Sequence, residues 1–415
     1  MKFVADFHIH SKYSRATSRD MDLDNLDKWA KIKGIKVLGT GDFTHPEWLK
    51  NLKDKLELAE PGLFKLKNSD SETRLILTAE ISCIYTKGGR VRKIHVIIFS
   101  PSFEIVEKIN TQLGWIGNLK SDGRPILGLD AKELAKIVLN SSQECLVVPA
   151  HAWTPWFAIF GSKSGFNSIE ECFEEYSKYI YSIETGLSSD PAMNWRLSSL
   201  DKITLISNSD AHSPQKIGRE ANVFDTELSY PAIIEAIKTK NPQKFLYTIE
   251  FFPEEGKYHF DGHRICGIKL SPQETKKYNG ICPVCGKPLT IGVLNRVEEL
   301  ADREEGFKPE GAVPFKSLVP LEEIIADVLS QGTGTKEVEK EYKNLIEKFG
   351  SEFNILLDVT REELGGITSP EIAEGIIRVR EGRVVREPGY DGVYGKIKIF
   401  SQEEEKTLSK QSTLF

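Results

Sequence analysis

Apolar and polar positions change their spacing repeatedly along the chain. Seven short runs are rich in β-branched and aromatic residues: KFVADF (2–7), IKVLGT (35–40), RLILTAEI (74–81), KIHVIIF (93–99), CLVVPAH (145–151), YIYSIET (179–185) and ITLISNSD (203–210). Between them lie segments of helical period, among them LDNLDKWAKIKG, PEWLKNLKDKLEL, DAKELAKIVLNS and SIEECFEEYSKY. Strand runs that alternate with amphipathic helices predict parallel βα units.

Polar residues at the ends of these runs sharpen the prediction. In DFHIHSKYS (6–14) a side-chain period of two puts Asp6, His8 and His10 on one face. Asp42 follows the second run and Glu80 closes the third. His151 follows the fifth, Glu184 the sixth, and Asp210 and His212 the seventh. His95 lies at the head of its run and fits this pattern poorly. Chemistry gathered at the C-terminal ends of several strands predicts a βα barrel of seven strands. A doubly wound sheet would gather it at one switch point.

Six of the eight histidines (His8, His10, His45, His95, His151, His212) fall within the first 212 residues, beside or just past strand runs. With Glu80 and Asp210 they form a metal-type donor set. Mixed imidazole and carboxylate donors suit zinc, manganese or iron better than calcium. So many donors imply two or three metals. Asp6 is expected to orient a ligand histidine from behind.

Composition bounds the function. With 415 residues, two or three domains are expected. A net charge of −6 argues against a generally basic nucleic-acid binder. Few methionines and many Lys and Glu point to a thermophile. Met1 leads straight into a strand run, so no signal peptide is expected, and no apolar run spans a bilayer. The expectation is a cytoplasmic, monomeric, prokaryotic protein without a membrane partner. Six cysteines in this length are no disulfide framework. Cys83, Cys145 and Cys172 sit in strand or helix patterns as buried hydrophobes.

After Pro253 the pattern changes. His263, Cys266, Cys282 and Cys285 stand in H-x2-C-x15-C-x2-C spacing, which fits a structural zinc ribbon. His259 is an alternative fourth ligand to His263. Helical patterns follow, with SQGTGT as a turn between two of them. In IIRVREGRVVREPGYDGVYGKIKIF, Arg378, Arg380, Arg383, Arg386, Lys396 and Lys398 surround Tyr390 and Tyr394. Basic and aromatic residues interleaved in this way track a nucleic-acid backbone, or else form a solvated hairpin face. The tail SQEEEKTLSKQSTLF is polar and expected to be disordered.

HIHS, LTAEIS, IHVIIF, PAH and NSDAH, in this order, resemble the PHP (polymerase and histidinol phosphatase) domain. The resemblance implies a distorted (β/α)7 barrel that hydrolyses phosphoesters with up to three metals. It carries His8, His10, Glu80, His95, His151, Asp210 and His212 over as ligands, beside the strand-end carboxylates Asp42 and Glu184. Two stretches depart from the PHP pattern. KYSRAT (12–17) holds Arg15 and no ligand type, and Phe43 stands where a ligand is usual, with His45 as a substitute.

DGHRICGIKLSP, GICPVCGKPLTIGVLNRVEELADR and EPGYDGVYGKI in the same chain are similar to the endonuclease Q family of DNA-repair enzymes. That resemblance covers nearly the whole chain. It implies hydrolysis of the phosphodiester 5′ to hypoxanthine, uracil, xanthine or abasic sites. The implied cofactors are two or three barrel metals (zinc, manganese or magnesium) and one structural zinc. His8, His10, Glu80, His151, Asp210 and His212 form the catalytic set. The lesion base is expected to flip into a pocket beside the metals. Its wall is drawn from Trp153, Trp156, Phe157, Lys216, Arg219 and Asn222, with Arg383 and Tyr390 contacting DNA. Gln411, Leu414 and Phe415 resemble the start of a sliding-clamp (PCNA) motif. The expected division is a barrel over 1–250, a zinc ribbon over 251–303, a helical DNA-binding region over 304–400 and a tail over 401–415. Alternatives are a PHP phosphatase or exonuclease on another phosphoester, and an inactive DNA-binding scaffold.

Overall fold

The computed structural model describes residues 1–67, 69–401 and 404. All seven strand runs form strands: Lys2–Asp6, Val37–Gly39, Arg74–Lys87, Arg90–Ser100, Leu146–Pro149, Ser182–Glu184 and Thr204–Ile206. The four quoted helical segments form helices at Leu23–Lys33, Pro46–Lys55, Ala131–Ser141 and Ile169–Phe173. Their ends are set locally. The Asp22 side chain accepts from Asn25 N, and Gly34 takes a φ of 84° to end the first helix. LEL, placed by pattern in the second helix, instead begins the strand Leu56–Glu60.

The result is a mixed α/β sheet with helices packed against it. Strand Lys2–Asp6 runs parallel to Val37–Gly39, which runs parallel to Arg74–Lys87. The expected parallel order ends there. A two-glycine turn, Gly88 and Gly89, folds Arg74–Lys87 and Arg90–Ser100 into an antiparallel hairpin, and Leu146–Pro149 is antiparallel to the latter. Both hairpin strands outrun the apolar runs that predicted them, so His95 lies mid-strand opposite Ser82, two residues from Glu80, and antiparallel register rather than a strand end brings the two together. On the other side, Ala221–Asp225 and Phe245–Glu250 extend the sheet antiparallel, and Phe315–Ser317 adds a parallel edge. The parallel pair Ser182–Glu184 and Thr204–Ile206 is tied back to the first strand. Ile9 bridges Ala211, and the amides of Asn208 and Asn222 bond Phe7 N and Ser207 N.

Strand residues converge on an inner core of Phe3, Ala5, Phe7, Ile97, Phe99, Leu146, Val148, Ile206 and Phe224. Phe7 meets Phe99 edge-on at 5.3 Å and Phe224 stacks on Phe245 at 4.7 Å, each pair adding about 0.5–1.5 kcal/mol beyond its buried area. A second, larger core joins the outer sheet face to the helices and continues into the C-terminal helices Leu321–Val328, Lys336–Phe349, Glu352–Leu357 and Pro370–Arg380. Among the described residues no helix is long and apolar enough to cross a membrane.

Candidate metal centre

The loops that leave the strands carry unusual backbone. Asp42, His151, Phe157 and Asp210 all have positive φ, at 50°, 28°, 64° and 46°. Non-glycine residues rarely adopt this region, and such strain clusters at functional sites. Three of these four are predicted donors.

Two donor groups form around Glu80. His8, His10, Glu80 and Asp210 bring ligand atoms within 4.8 Å of one another, and so do Glu80, His95 and His151. In the first, His10 Nε2 lies 3.0 Å from Asp210 Oδ1 and 3.3 Å from Glu80 Oε2. His8 Nε2 is 3.6 Å from each of the same two oxygens. Four donors around an ion at ~2.1 Å lie about 3.4 Å apart, so these spacings fit a tetrahedral divalent metal. His8 Nε2, His10 Nε2 and Asp210 Oδ1 are buried without a hydrogen-bond partner, which is costly unless an ion completes them. In the second group Glu80 Oε1 lies 2.7 Å from His95 Nδ1 and 3.1 Å from His151 Nε2. The two oxygens of Glu80 are thus divided between the groups.

The remaining predicted ligands stand behind or beside these groups. Asp42 Oδ1 faces His10 Nδ1 at 3.0 Å, and Glu184 Oε1 faces His8 Nδ1 at 3.0 Å. Expected as ligands, both carboxylates instead meet the rear nitrogens and turn Nε2 forward. Glu184 also accepts from His151 N and Asn208 Nδ2. His212 lies outside both groups. Its ring lies 4.6 Å from that of His10, tilted by 50°, and its Nδ1 is 2.8 Å from the Asp210 carbonyl oxygen. His45 also lies outside both groups, with its ring stacked on Tyr13 at 4.4 Å. Asp6 orients no histidine. It accepts from Ser209 N and Gly218 N, and so fixes the loop that carries Asp210.

Charge follows geometry. Burial opposes protonation of His8 and His10, but Glu184, Glu80 and Asp210 around the first and Asp42 and Asp210 around the second hold both well above the ordinary range. Burial alone would raise Glu80; His95, Arg124 and His8 hold it well below. Burial pushes His95 down to about 4, against the opposing pull of Glu80. Sequence reasoning missed Arg124, whose Nη1 donates to Glu80 Oε2 at 2.9 Å. Its only signal was an arginine in a Gly-Arg-Pro loop.

The cysteine group also assembles. His263, Cys266, Cys282 and Cys285 lie within 4.8 Å of one another, with Cys285 Sγ 3.6 Å from His263 Nδ1. His263 ends the hairpin Asp261–His263/Ile268–Leu270, and Gly286 at φ 70° lets the second knuckle close. Despite burial, the N–H groups of Cys285 and Val284 lower the Cys282 thiol. His259 stays outside, stacked on Phe260. Cys83, Cys145 and Cys172 are buried, as expected.

The predicted DNA contacts divide. Trp153 is 0% exposed, donates to Asn194 Oδ1 at 2.7 Å and belongs to the core, not to a pocket wall. Asn222 is equally buried and ties strands together through Ser207 and Asn208. Trp156 is 39% exposed, and the Phe157 ring lies 4.7 Å from His95. Lys216 pairs with Glu323, and Arg219 donates to Ser209 O. Arg383 is exposed and pairs with Glu374 and Glu381. Tyr390 packs on the cysteine hairpin at Gly262. Arg380 caps carbonyls of Ile355 and Leu356, Arg378 pairs with Glu404, and Arg386 pairs with Glu254. The basic segment is therefore largely internal pairing. Gln411, Leu414 and Phe415 lie outside the described residues.

An α/β sheet with two histidine–carboxylate groups gathered around Glu80 is the kind of arrangement that metal-dependent hydrolases use. A sequence family described as the MJ0043 C-terminal domain matches residues 320–383. The MJ0043 protein of Methanocaldococcus jannaschii is 34% identical over 276 residues, 63% of this chain and 33% of that protein. The chain thus spans about a third of the length of that curated relative. The crystal structure of the lesion-specific endonuclease PfuEndoQ from Pyrococcus furiosus is 31% identical with a TM-score of 0.86, covering 98% of this chain and 99% of that one. Endonuclease Q in complex with a 27-mer duplex carrying an abasic lesion at the active site gives the same identity and TM-score, covering 98% of each chain. The chain belongs to the endonuclease Q family of lesion-specific endonucleases.

Proposed function

We propose that this chain hydrolyses the DNA phosphodiester on the 5′ side of deaminated bases (hypoxanthine, uracil, xanthine) or abasic sites. The observation that carries the reading is the double donor group around Glu80, in a chain alike over its whole length to an endonuclease Q structure. The curved sheet of residues 1–250 acts as a PHP-type barrel, residues 251–303 as a zinc ribbon, and residues 304–400 as a helical region that supports DNA. Gln411, Leu414 and Phe415 are assigned to a sliding clamp on their sequence alone.

His8, His10, Glu80 and Asp210 would hold one divalent ion, and Glu80, His95 and His151 a second. Ions there supply Lewis acidity, which activates a water and stabilises charge on the phosphoryl group. Water oxygen attacks phosphorus, and the bond to the 3′ oxygen breaks. His212 donates Nδ1–H to Asp210 O, so Nε2 presents a lone pair that would take the proton the attacking water loses, while solvent protonates the leaving 3′ oxygen. Asp42 and Glu184 fix the ligand tautomers. Trp156 and Phe157 offer rings on which an extruded base can stack, and unstacking costs least at weak pairs.

The test uses duplexes with one uracil, hypoxanthine, xanthine or abasic site, incubated with metal-loaded protein, and maps the cut. A single nick 5′ to the lesion is expected. Equal cutting of undamaged duplex, or release of phosphate from sugar phosphates only, overturns the reading.

A further inference from the structure

Arg124 has no role in the scheme so far, yet it reaches the centre of the donor set. Its Nη1 lies 2.9 Å from Glu80 Oε2, the same oxygen that faces His8 and His10. Its side chain is 25% exposed, so one edge stays open. The other guanidinium nitrogens take no acceptor among the described residues.

The loop that delivers Arg124 is built for the purpose. Gly123 N donates to Tyr13 O at 3.0 Å, and Gly123 O accepts from Thr44 Oγ1. A Cβ at Gly123 would collide with Asp42 Oδ2 and Ser14 Oγ, so only glycine brings the loop this close. Asp122 Oδ1 caps the turn by accepting from Arg124 N and Arg15 N. Tyr13, Arg15 and Thr44 lie in or beside KYSRAT and Phe43, the stretches that lack expected ligand types. Asp42 has nothing left to offer a further ion: Oδ1 faces His10, and Oδ2 accepts from Ser11 N, Ser11 Oγ and Ser14 Oγ. Among the described residues the donor groups are the two around Glu80 and the cysteine group.

We propose that Arg124 is the third cation of this centre, a fixed guanidinium that binds a non-bridging oxygen of the phosphodiester in place of a third metal. The inference rests on the phosphodiester reading of the same site. A guanidinium offers several N–H groups in a planar fork that fits phosphate, and it needs no ligands to hold it. Glu80 anchors one nitrogen and leaves the open edge for substrate. Charge placed in advance where the transition state develops it is worth two to three orders of magnitude in rate.

The experiment compares full-length wild type, Arg124→Gln and Arg124→Lys, with thermal melting to establish folding. Metal content is measured after dialysis, orthophosphate binding to metal-loaded protein by calorimetry, and nicking on an abasic duplex. Wild type should hold two ions besides the cysteine-bound one. Arg124→Gln should keep that number, bind orthophosphate at least tenfold more weakly and nick at least about 100-fold more slowly in kcat. Arg124→Lys should recover part of the phosphate affinity. A third barrel ion in wild type overturns the proposal, as does unchanged phosphate affinity in Arg124→Gln. Loss of metal in Arg124→Gln also overturns it, because Arg124 would then only position Glu80. If wild type nicks no lesion duplex, the phosphodiester reading fails, while the metal count and phosphate arms still decide the role of Arg124.

Discussion

His10 Nδ1 lies 3.0 Å from Asp42 Oδ1, and both groups are fully buried. The carboxylate can only accept, so the ring must carry its proton on Nδ1. Nε2 is thereby the nitrogen that faces Asp210 and Glu80 and that would give its lone pair to an ion held among them. Asp42→Asn replaces one acceptor oxygen by an NH2 donor and favours the tautomer protonated on Nε2. Metal affinity of the first group should fall 10–100-fold, with little loss of melting temperature. A metal titration of the refolded apoprotein measures it.

Glu80 serves both groups and His95 only one. His95→Ala should therefore leave one tightly held barrel ion, while Glu80→Gln should weaken both. Nicking should be lost in each. Metal content after dialysis separates the two cases; equal retention by both variants would show that Glu80 is not shared.

Much of this centre was legible in the sequence because a ligand needs a particular side chain at a strand end. His8, His10, His151 and Asp210 announce themselves that way, whereas Glu80 and His95 fall inside strands longer than their apolar runs suggested. The division between ligands and their supports was not legible. Asp42 and Glu184 stand at the same strand ends but meet Nδ1, and only the ring orientation shows it. Trp153 and Asn222 read as pocket wall because their loops do, yet Trp153 faces the core and Asn222 falls inside a strand. The seven strand runs held, but period two says nothing of strand direction. The antiparallel hairpin at Gly88 and Gly89 therefore had to be seen.

The cysteine group should govern its own hairpins and little else. Its apolar support is small, with Leu270, Cys282 and Leu289 packed together. Such a module depends on its ion. Cys285→Ser should release zinc and raise amide exchange across 261–290, while the sheet keeps its protection. Hydrogen exchange by mass spectrometry reads both regions at once.

Lys33 ends the first helix and meets Glu352 of a C-terminal helix at 2.6 Å, with both side chains buried. Glu352 also accepts from Tyr342 Oη and Leu321 N. Removing one partner strands a buried charge. Glu352→Gln should cost about 3–5 kcal/mol, and Lys33→Met with Glu352→Gln, which removes both charges and keeps an acceptor oxygen, much less. Denaturant unfolding of both variants tests whether this pair ties the helices to the sheet.

Glu255 sits in the turn Pro253–Glu255, between the sheet and the cysteine module. Burial raises its carboxyl to about 8, with Glu323 and Glu254 adding to the effect and Lys216 and Arg219 opposing it. Its Oε1 is buried without a partner. A carboxyl whose folded pKa lies above its unfolded value keeps a proton in the native state that the unfolded chain gives up. Its penalty is absent below the unfolded value, near 4.5, grows as pH rises toward 8 and is constant above. Glu255→Gln cannot ionise and carries no such penalty. The variant and wild type should melt together at pH 4.5. The variant should melt higher by pH 9, by roughly 2 °C for each kcal/mol of penalty removed. Melting curves of the holoprotein from pH 4.5 to 9 decide it. Parallel profiles for the two proteins would place the carboxyl in contact with water and remove Glu255 as a source of alkaline instability.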